Sequence, residues 1–108
     1  MTTFDDRQRA FESMYARDQE MQFKVTSRRN RLLGQWAAEK MGLSGEEADA
    51  YAKAVIRADF EEAGDEDVVR KLVSDLADAK VEVDEAEVRR QIEHKANDAR
   101  RHFIEAQQ

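Results

Sequence analysis

The chain contains no proline and only four glycines among its 108 residues. Proline breaks the interior of helices and glycine is typical of helix ends, so this chain has few places at which a helix must stop. Three of the glycines, Gly42, Gly45 and Gly64, lie where the pattern of apolar residues breaks. We therefore expect helix almost everywhere else, and an all-α fold.

Composition excludes several classes of protein. Hydrophobic residues make up 41% of the chain and charged residues 39%, which is too apolar for full disorder and too charged for a membrane protein. No apolar run is long enough to span a bilayer and no signal peptide is recognisable, so we expect one soluble cytoplasmic domain. The absence of cysteine excludes disulfides and thiolate sites, and a net charge of -6 disfavours nucleic-acid binding.

The spacing of apolar residues predicts four helices, of which the first is much the longest. It runs from about Thr3 to Met41, and Gly42 ends it. Ser44 and Glu47 then have the spacing of a capping box, which begins the second helix. One broad face of the first helix carries its apolar residues. These are Phe4, Phe11, Met14, Tyr15, Met21, Val25, Leu32, Leu33 and Trp36.

The other three helices have similar boundary signals. We predict that the second helix ends at Gly64, that Asp65 caps the third, and that Lys80–Val83 is a connection. Asp84 and Glu87 repeat the capping-box spacing at the start of the last helix. Because short connections favour antiparallel neighbours, we expect a four-helix bundle. The inward residues of the three helices are Ala48, Tyr51, Ala52, Val55, Ile56 and Phe60, then Val69, Leu72, Val73 and Leu76, then Val88, Ile92, Ala96, Ala99 and Phe103.

The first helix is too long for this bundle. At 1.5 Å per residue, roughly 39 residues span about 58 Å, whereas helices of roughly 20 residues span about 30 Å. The surplus is amphipathic, and Asp18 interrupts its apolar stripe between Tyr15 and Met21. We therefore divide the chain into a docking arm, residues 1–18, and a four-helix domain, residues 19–108.

The arm is predicted to be flexible in the free protein and to fold as a helix on a partner. An isolated helix of this length is only marginally stable in water, and the predicted domain does not cover it. The simpler alternative is a ragged terminus without a role. Apolar residues in helical phase favour the binding interpretation.

No catalytic or metal site is recognisable in the sequence. His94 and His102 are eight residues apart, whereas two ligands on one helix need a spacing of three or four. There is no glycine-rich phosphate loop, and the acidic run at residues 61–67 lacks the spacing of a calcium loop. We predict no enzymatic activity, no metal and no cofactor.

Arg29 occupies an unusual position for a cation, because it shares its helical face with Val25 and Trp36. We expect Trp36 in the core. The stem of Arg29 is expected to lie along the core edge, or its guanidinium to pair with a nearby carboxylate. The candidate partners are Asp59, Glu61, Glu62 and Asp65.

Several segments resemble the zeta subunit, the inhibitor of the alphaproteobacterial F-type ATP synthase. They begin with TFDDR at residues 3–7 and AFE at residues 10–12 and extend to ADFEEAGDEDV at residues 58–68. The resemblance is close from residue 3 to about residue 76, and covers the last helix only in length and pattern. Between these ends, the matching segments are residues 21–24, 29–30, 32–34, 36–40 and 50–53.

The resemblance implies a regulatory protein that binds the F1 sector and blocks ATP hydrolysis. In that family, the N-terminal segment is disordered when free and inserts as a helix at a catalytic interface between the alpha and beta subunits, near gamma. The protein would associate with the membrane-bound synthase through F1 and would not itself enter the membrane. Carried over, the partner-binding residues are Phe4, Asp5, Asp6, Arg7, Arg9, Phe11, Glu12, Met14 and Tyr15.

Other functions are compatible with the same arm. The main alternative is a general helical adaptor that binds an unrelated protein. A membrane-surface helix is disfavoured because the arm lacks a lysine-rich polar face, and a nucleotide sensor has no recognisable site. We expect a monomer in the free state, although two arms could also bury each other.

Overall fold

The computed structural model describes residues 3–61 and 64–106, and these residues form an all-α fold. The second of five helices is central and contacts each of the others. The helices are α1 (Thr3–Arg17), α2 (Gln19–Lys40), α3 (Gly45–Ala58), α4 (Glu66–Asp78) and α5 (Glu85–Ala106).

The predicted first helix is two helices, α1 and α2, which meet at Asp18. The longest dimension of the molecule is 47 Å, less than the length of the single helix that we predicted. The backbone of Asp18 is extended, with φ −113° and ψ 103°. Its carboxylate accepts hydrogen bonds from the backbone amides of Glu20 (2.9 Å) and Met21 (3.3 Å). A residue that caps α2 in this way stops α1 as well, so the prediction of a continuous helix was wrong.

The expectation that the arm has nothing of its own chain to lie against was also wrong. The break at Asp18 lets α1 fold back on the rest of the chain, where it contacts α2 and α5. The side chain of Phe11 is completely buried there. The four-helix count therefore applies to α2–α5 alone, with α1 as a fifth packed element.

The main hydrophobic core lies where α2, α3, α4 and α5 meet. Trp36 packs against this core and is half-buried, which agrees with its predicted place. The connection at residues 80–83 lies between α4 and α5, as predicted. The buried members of the core are Leu33, Ala37, Val55, Val68, Val69, Leu72, Leu76, Val88 and Ile92.

The end of α3 differs from the prediction. The helix ends at Ala58 and not at Gly64, although Gly64 does adopt the left-handed conformation, with φ +85°. Phe60, predicted to point inward, is 63% exposed. Its backbone amide donates to the carbonyl of Arg57 at 3.1 Å, a tightened turn that ends the helix before Phe60 can join the buried face. Residues 62 and 63 lie outside the described part of the chain.

The three predicted helix starts are found, but their capping bonds differ. The Asp84 carboxylate accepts from the Glu87 amide at 2.8 Å, as expected. Ser44 and Asp65 occupy N-cap positions, yet neither side chain makes a capping hydrogen bond. The Asp65 carboxylate is instead engaged by Arg29.

Arg29 makes the predicted pairing with the acidic segment. Its Nη1 lies 2.9 Å from Asp65 Oδ1 and its Nη2 lies 3.6 Å from Asp59 Oδ1. The guanidinium also donates to Asn30 Oδ1 from Nε (3.1 Å) and Nη2 (2.9 Å). Arg29 and Asn30 are both buried, so this network fastens the end of α3 to α2 inside the protein.

Two further polar contacts join neighbouring helices. The Tyr51 hydroxyl on α3 donates to Asp75 on α4 at 2.7 Å, and burial together with this hydrogen bond raises the pKa of Tyr51. Lys71 pairs with the same carboxylate at 2.9 Å. The Arg89 guanidinium on α5 donates to both carboxylate oxygens of Glu66 on α4 and lowers the pKa of Glu66. These contacts orient α4 between its neighbours.

Gly34 marks the closest approach of α2 and α3. A Cβ at position 34 would lie 2.5 Å from the Cα of Ala52, closer than two carbon atoms can approach. We expect Gly34→Ala to lower the free energy of unfolding by about 1–3 kcal/mol, because the two helices must separate. The loss should appear in thermal unfolding followed by circular dichroism, as a fall in Tm of about 5–15 °C.

The matched control for this variant is Gln35→Ala on the exposed side of the same helix. Alanine is the better helix former, by about 1 kcal/mol relative to glycine, so a helix without the close contact would gain stability from Gly34→Ala. An unchanged or higher Tm would therefore contradict the close packing of α2 on α3.

Candidate partner-binding site

The apolar residues of α1 form a stripe that faces the rest of the protein. Phe4, Phe11 and Tyr15 are separated by seven and four residues, spacings that place side chains on one side of a helix. Acidic residues in its first turn and Arg17 in its last complement the helix dipole. The local sequence therefore favours a helix here, and the apolar face of that helix must be buried against another surface.

The start of α2 and the end of α5 provide that cover. Phe11 is fully buried in a second hydrophobic cluster with Val25 of α2 and Ala99 and Ile104 of α5. Its ring stacks on that of Tyr15 with centroids 6.0 Å apart. This cluster is separate from the main core and holds α1 in place.

The two ends of α1 make additional contacts. Near its start, the guanidinium carbon of Arg101 lies 5.6 Å from the centre of the Phe4 ring, a cation–π contact. At its end, the side-chain amide of Gln22 donates to the backbone carbonyl of Tyr15 at 2.7 Å, across the break at Asp18. The docked helix is thus tied to both α5 and α2.

The other predicted binding residues divide between the outer surface and the interface. Met14 is half-buried. Arg7 is also half-buried, and its Nε has no hydrogen-bond partner among the described residues. The side chain of Glu12 accepts from Gln8 at 3.3 Å. The exposed residues of the predicted set are Asp5, Asp6, Arg9 and Glu12.

The packing of α1 on α5 leaves a groove of about 520 Å³ between the two helices. Its α5 wall is largely polar and includes Asn97, Asp98 and Arg101. His94 on this wall and His102 beyond it are both exposed. In residues 3–61 and 64–106, no group of three or more His, Asp or Glu residues is placed to hold a metal ion.

The sequence did not indicate that α5 covers the arm. Ala99 was assigned to the inner stripe of the last helix, but Ile104 was not, although both bury Phe11. The available signal was that apolar residues continue along α5 well beyond Ile92, the last member of the main core on this helix. An apolar stripe that extends along a helix beyond the main core indicates that a second element packs against that helix.

Comparison with known proteins decides the family. The family model for ATPase inhibitor subunit zeta matches residues 1–102, which include the whole of α1. The chain belongs to this family. The zeta family consists of inhibitor subunits, which are regulatory proteins and not enzymes. Membership supports an inhibitory role on ATP synthase and implies that the chain binds F1-ATPase.

The fold is also found among solved structures. A protein whose structure was determined by solution NMR is 49% identical to this zeta-family chain, with a TM-score of 0.69. The match covers 80% of this chain and 98% of the other. No curated protein matches the chain at a significant level. Over the described residues, no helix is both long and apolar enough to cross a bilayer.

Proposed function

We propose that this zeta-family protein blocks ATP hydrolysis by inserting α1 at a catalytic interface between the alpha and beta subunits of F1, near gamma. The observation that carries the proposal is the family match, which extends through all of α1. It is supported by the separation of α1 from the rest of the chain at Asp18, and by the apolar stripe of Phe4, Phe11 and Tyr15.

Insertion requires α1 to leave α5. Phe11 is completely buried in the docked arrangement, so its side chain cannot contact a partner until α1 detaches. Asp18 is the natural hinge, because it is the one non-helical residue between α1 and α2 and its backbone is extended. The predicted flexibility of residues 1–18 in the free protein stays a prediction; within this proposal it is the opening of α1 at Asp18.

In the docked state, few groups of α1 are completely buried. Burial of one phenylalanine contributes about 1.5–3 kcal/mol, and Phe11 is the one completely buried large side chain that α1 provides. The buried Nε of Arg7 lacks a hydrogen-bond partner among the described residues, and an unpaired buried donor costs about 1–3 kcal/mol. A partner that buries the same face more completely therefore shifts α1 from α5 to itself.

The proposed mechanism is steric. A helix held in a catalytic interface prevents the domain movement that each hydrolysis step requires. Most of the binding free energy is expected from a few buried side chains, with Phe4 and Phe11 as the main candidates. The charges of the arm are nearly balanced, which suits pairing with a groove of mixed charge and does not suit anionic lipid or nucleic acid.

The decisive experiment compares two forms of the protein on purified F1 that lacks the subunit. The full-length chain should inhibit ATP hydrolysis, and a form that begins at Gln19 should require at least about 100-fold more protein for the same inhibition, because its main binding side chains are gone. Circular dichroism must first establish that the shortened form retains α2–α5. Full-length protein without inhibitory effect would refute the function, and equal inhibition by both forms would refute the role of α1.

A further inference from the structure

Two phenylalanines outside the arm lie side by side on the protein surface. Phe23 on α2 is 53% exposed and Phe60, just beyond the end of α3, is 63% exposed. Their rings stack with centroids 5.6 Å apart and an interplanar angle of 30°. Among the described residues these are the large hydrophobic side chains with the greatest exposure. We call them the aromatic pair.

The backbone next to the aromatic pair is anchored by a buried network. Asp59, which immediately precedes Phe60, faces the guanidinium of Arg29 at 3.6 Å, and Arg29 lies on α2 as Phe23 does. The amides of Phe60 and Glu61 donate to carbonyls in the last turn of α3, at 3.1 and 3.2 Å. A backbone that is ordered before binding loses little conformational entropy when a partner covers the pair.

The position of the aromatic pair relates it to the arm. Phe23 lies five residues after Asp18, which corresponds to about 7.5 Å along the axis of α2. A partner that holds α1 therefore has its own surface close to the pair. The pair extends the area that such a partner can contact from the arm onto the body of the protein.

An acidic side chain lies close to each member of the aromatic pair. Glu20 lies one turn before Phe23, and Glu61 follows Phe60; both are exposed. Of the nearby cations, Lys24 pairs with Glu20 at 3.6 Å, Arg29 is buried with its carboxylates, and Arg57, one turn before Phe60, is exposed. A complementary partner surface presents an apolar side chain with a lysine or arginine opposite Glu61.

We propose that the aromatic pair is a second docking surface, which contacts an apolar, basic-rimmed site on F1 next to the point where α1 enters. The inference rests on the proposed inhibitory function. The arm blocks ATP hydrolysis by F1, and the aromatic pair increases the affinity by a contact outside the same interface. Two sites joined in one chain bind more tightly than either site alone.

The test measures how much protein gives half-maximal inhibition of ATP hydrolysis by F1. Phe60→Gln should raise that concentration by at least about tenfold, because the apolar contact is lost while α1 is unchanged. Phe60→Leu, which keeps an apolar side chain, should stay within about threefold of the unmodified protein. Glu61→Lys should also raise the concentration, whereas Glu47→Lys, an exposed reversal at the start of α3, should leave it unchanged.

Several outcomes overturn the inference. If Phe60→Gln and Glu61→Lys inhibit at the concentration of the unmodified protein, the pair has no docking role, although the function of α1 stands. If the unmodified protein does not inhibit, the proposed function itself fails. Sedimentation that shows a dimer, which Phe60→Gln converts to monomer, would assign the pair to contact with a second copy. Should Phe60→Gln unfold, Glu61→Lys decides the result, because it changes only the exposed rim.

Discussion

A covalent link between α1 and α5 is expected to abolish the inhibition of F1-ATPase, and cleavage of the link to restore it. In the docked arrangement Phe11 is enclosed by Val25, Ala99 and Ile104 and is completely buried. If the same face must contact F1, a chain whose α1 cannot leave α5 cannot insert its inhibitory helix. The half-inhibitory concentration should rise by at least about 100-fold, since the binding-competent state is removed.

The sequence allows a cross-link to be placed at two chosen positions only. The chain has no cysteine, so Gln8→Cys on α1 and Asn97→Cys on α5 would be its only thiols. Both positions line the groove between the two helices, and neither belongs to the predicted binding residues. A short bismaleimide with an internal disulfide can join them and be cleaved by a reductant.

The controls for the link are the unlinked double variant and each single variant capped with N-ethylmaleimide. Gln8 lies on the face of α1 that carries Phe4 and Phe11, so the capped Gln8→Cys variant measures the effect of the adduct itself, and the linked protein should inhibit much more weakly than this variant. Backbone NMR order parameters for residues 4–15 should rise when the link forms. Undiminished inhibition by the linked protein would show that α1 acts from its docked position, and would refute the opening at Asp18.

Replacement of Arg29 by methionine is expected to have the largest effect on stability. Methionine preserves much of the apolar stem but removes the cation that faces Asp59 and Asp65 and the donors to Asn30. The Asp59 side chain is only 16% exposed, so its charge would remain in the protein without compensation. The removal of one partner from a buried ion pair costs about 3–5 kcal/mol, which corresponds here to a fall in Tm of more than about 10 °C.

A double-mutant cycle separates the network from simple packing. Arg29→Met and Asp59→Asn should be strongly non-additive, because the second change removes the charge that the first leaves unpaired. Asp65→Asn should couple more weakly to Arg29→Met, since the Asp65 side chain is 46% exposed and partly solvated. Additive effects of Arg29→Met and Asp59→Asn would contradict the importance of the buried pair.

If α1 leaves α5 to bind F1 as proposed, its docked position reduces the apparent affinity of the protein for F1. The apparent affinity of F1 for the protein equals the intrinsic affinity multiplied by the fraction of chains in which α1 is free. The contacts of Phe11 with Ala99 and Ile104 therefore set how much of the inhibitor is ready to bind. In this proposal, the end of α5 regulates the arm while it remains outside the interface with F1.

The helical boundaries that local chemistry determines were predicted well. Glycine at position 42, the valine-containing connection at residues 80–83 and the cap at Asp84 act over a few residues, and each is found in the structure. The pairing of Arg29 with the acidic segment was one of the two predicted outcomes for a cation in an apolar stripe, and the structure confirms it. The family was recognised from residues 3–76, and the family model confirms it over residues 1–102.

Three features depended on tertiary contacts instead. Gly34 is required because α3 passes so close to it, a relation between helices that the sequence of either helix does not reveal. Phe60 has the helical spacing of a core residue, but α3 ends first and leaves the ring on the surface beside Phe23. The third feature is the position of α1.

The sequence by itself determined that this chain is helical, that its stripe is interrupted at Asp18, and that residues 3–17 carry an apolar face in need of a cover. Helix length and periodicity show that a face is apolar, but they contain no information about which surface buries it. Only the tertiary structure decided that α5 supplies the cover, because burial of Phe11 depends on a contact between residues more than 80 positions apart in the chain.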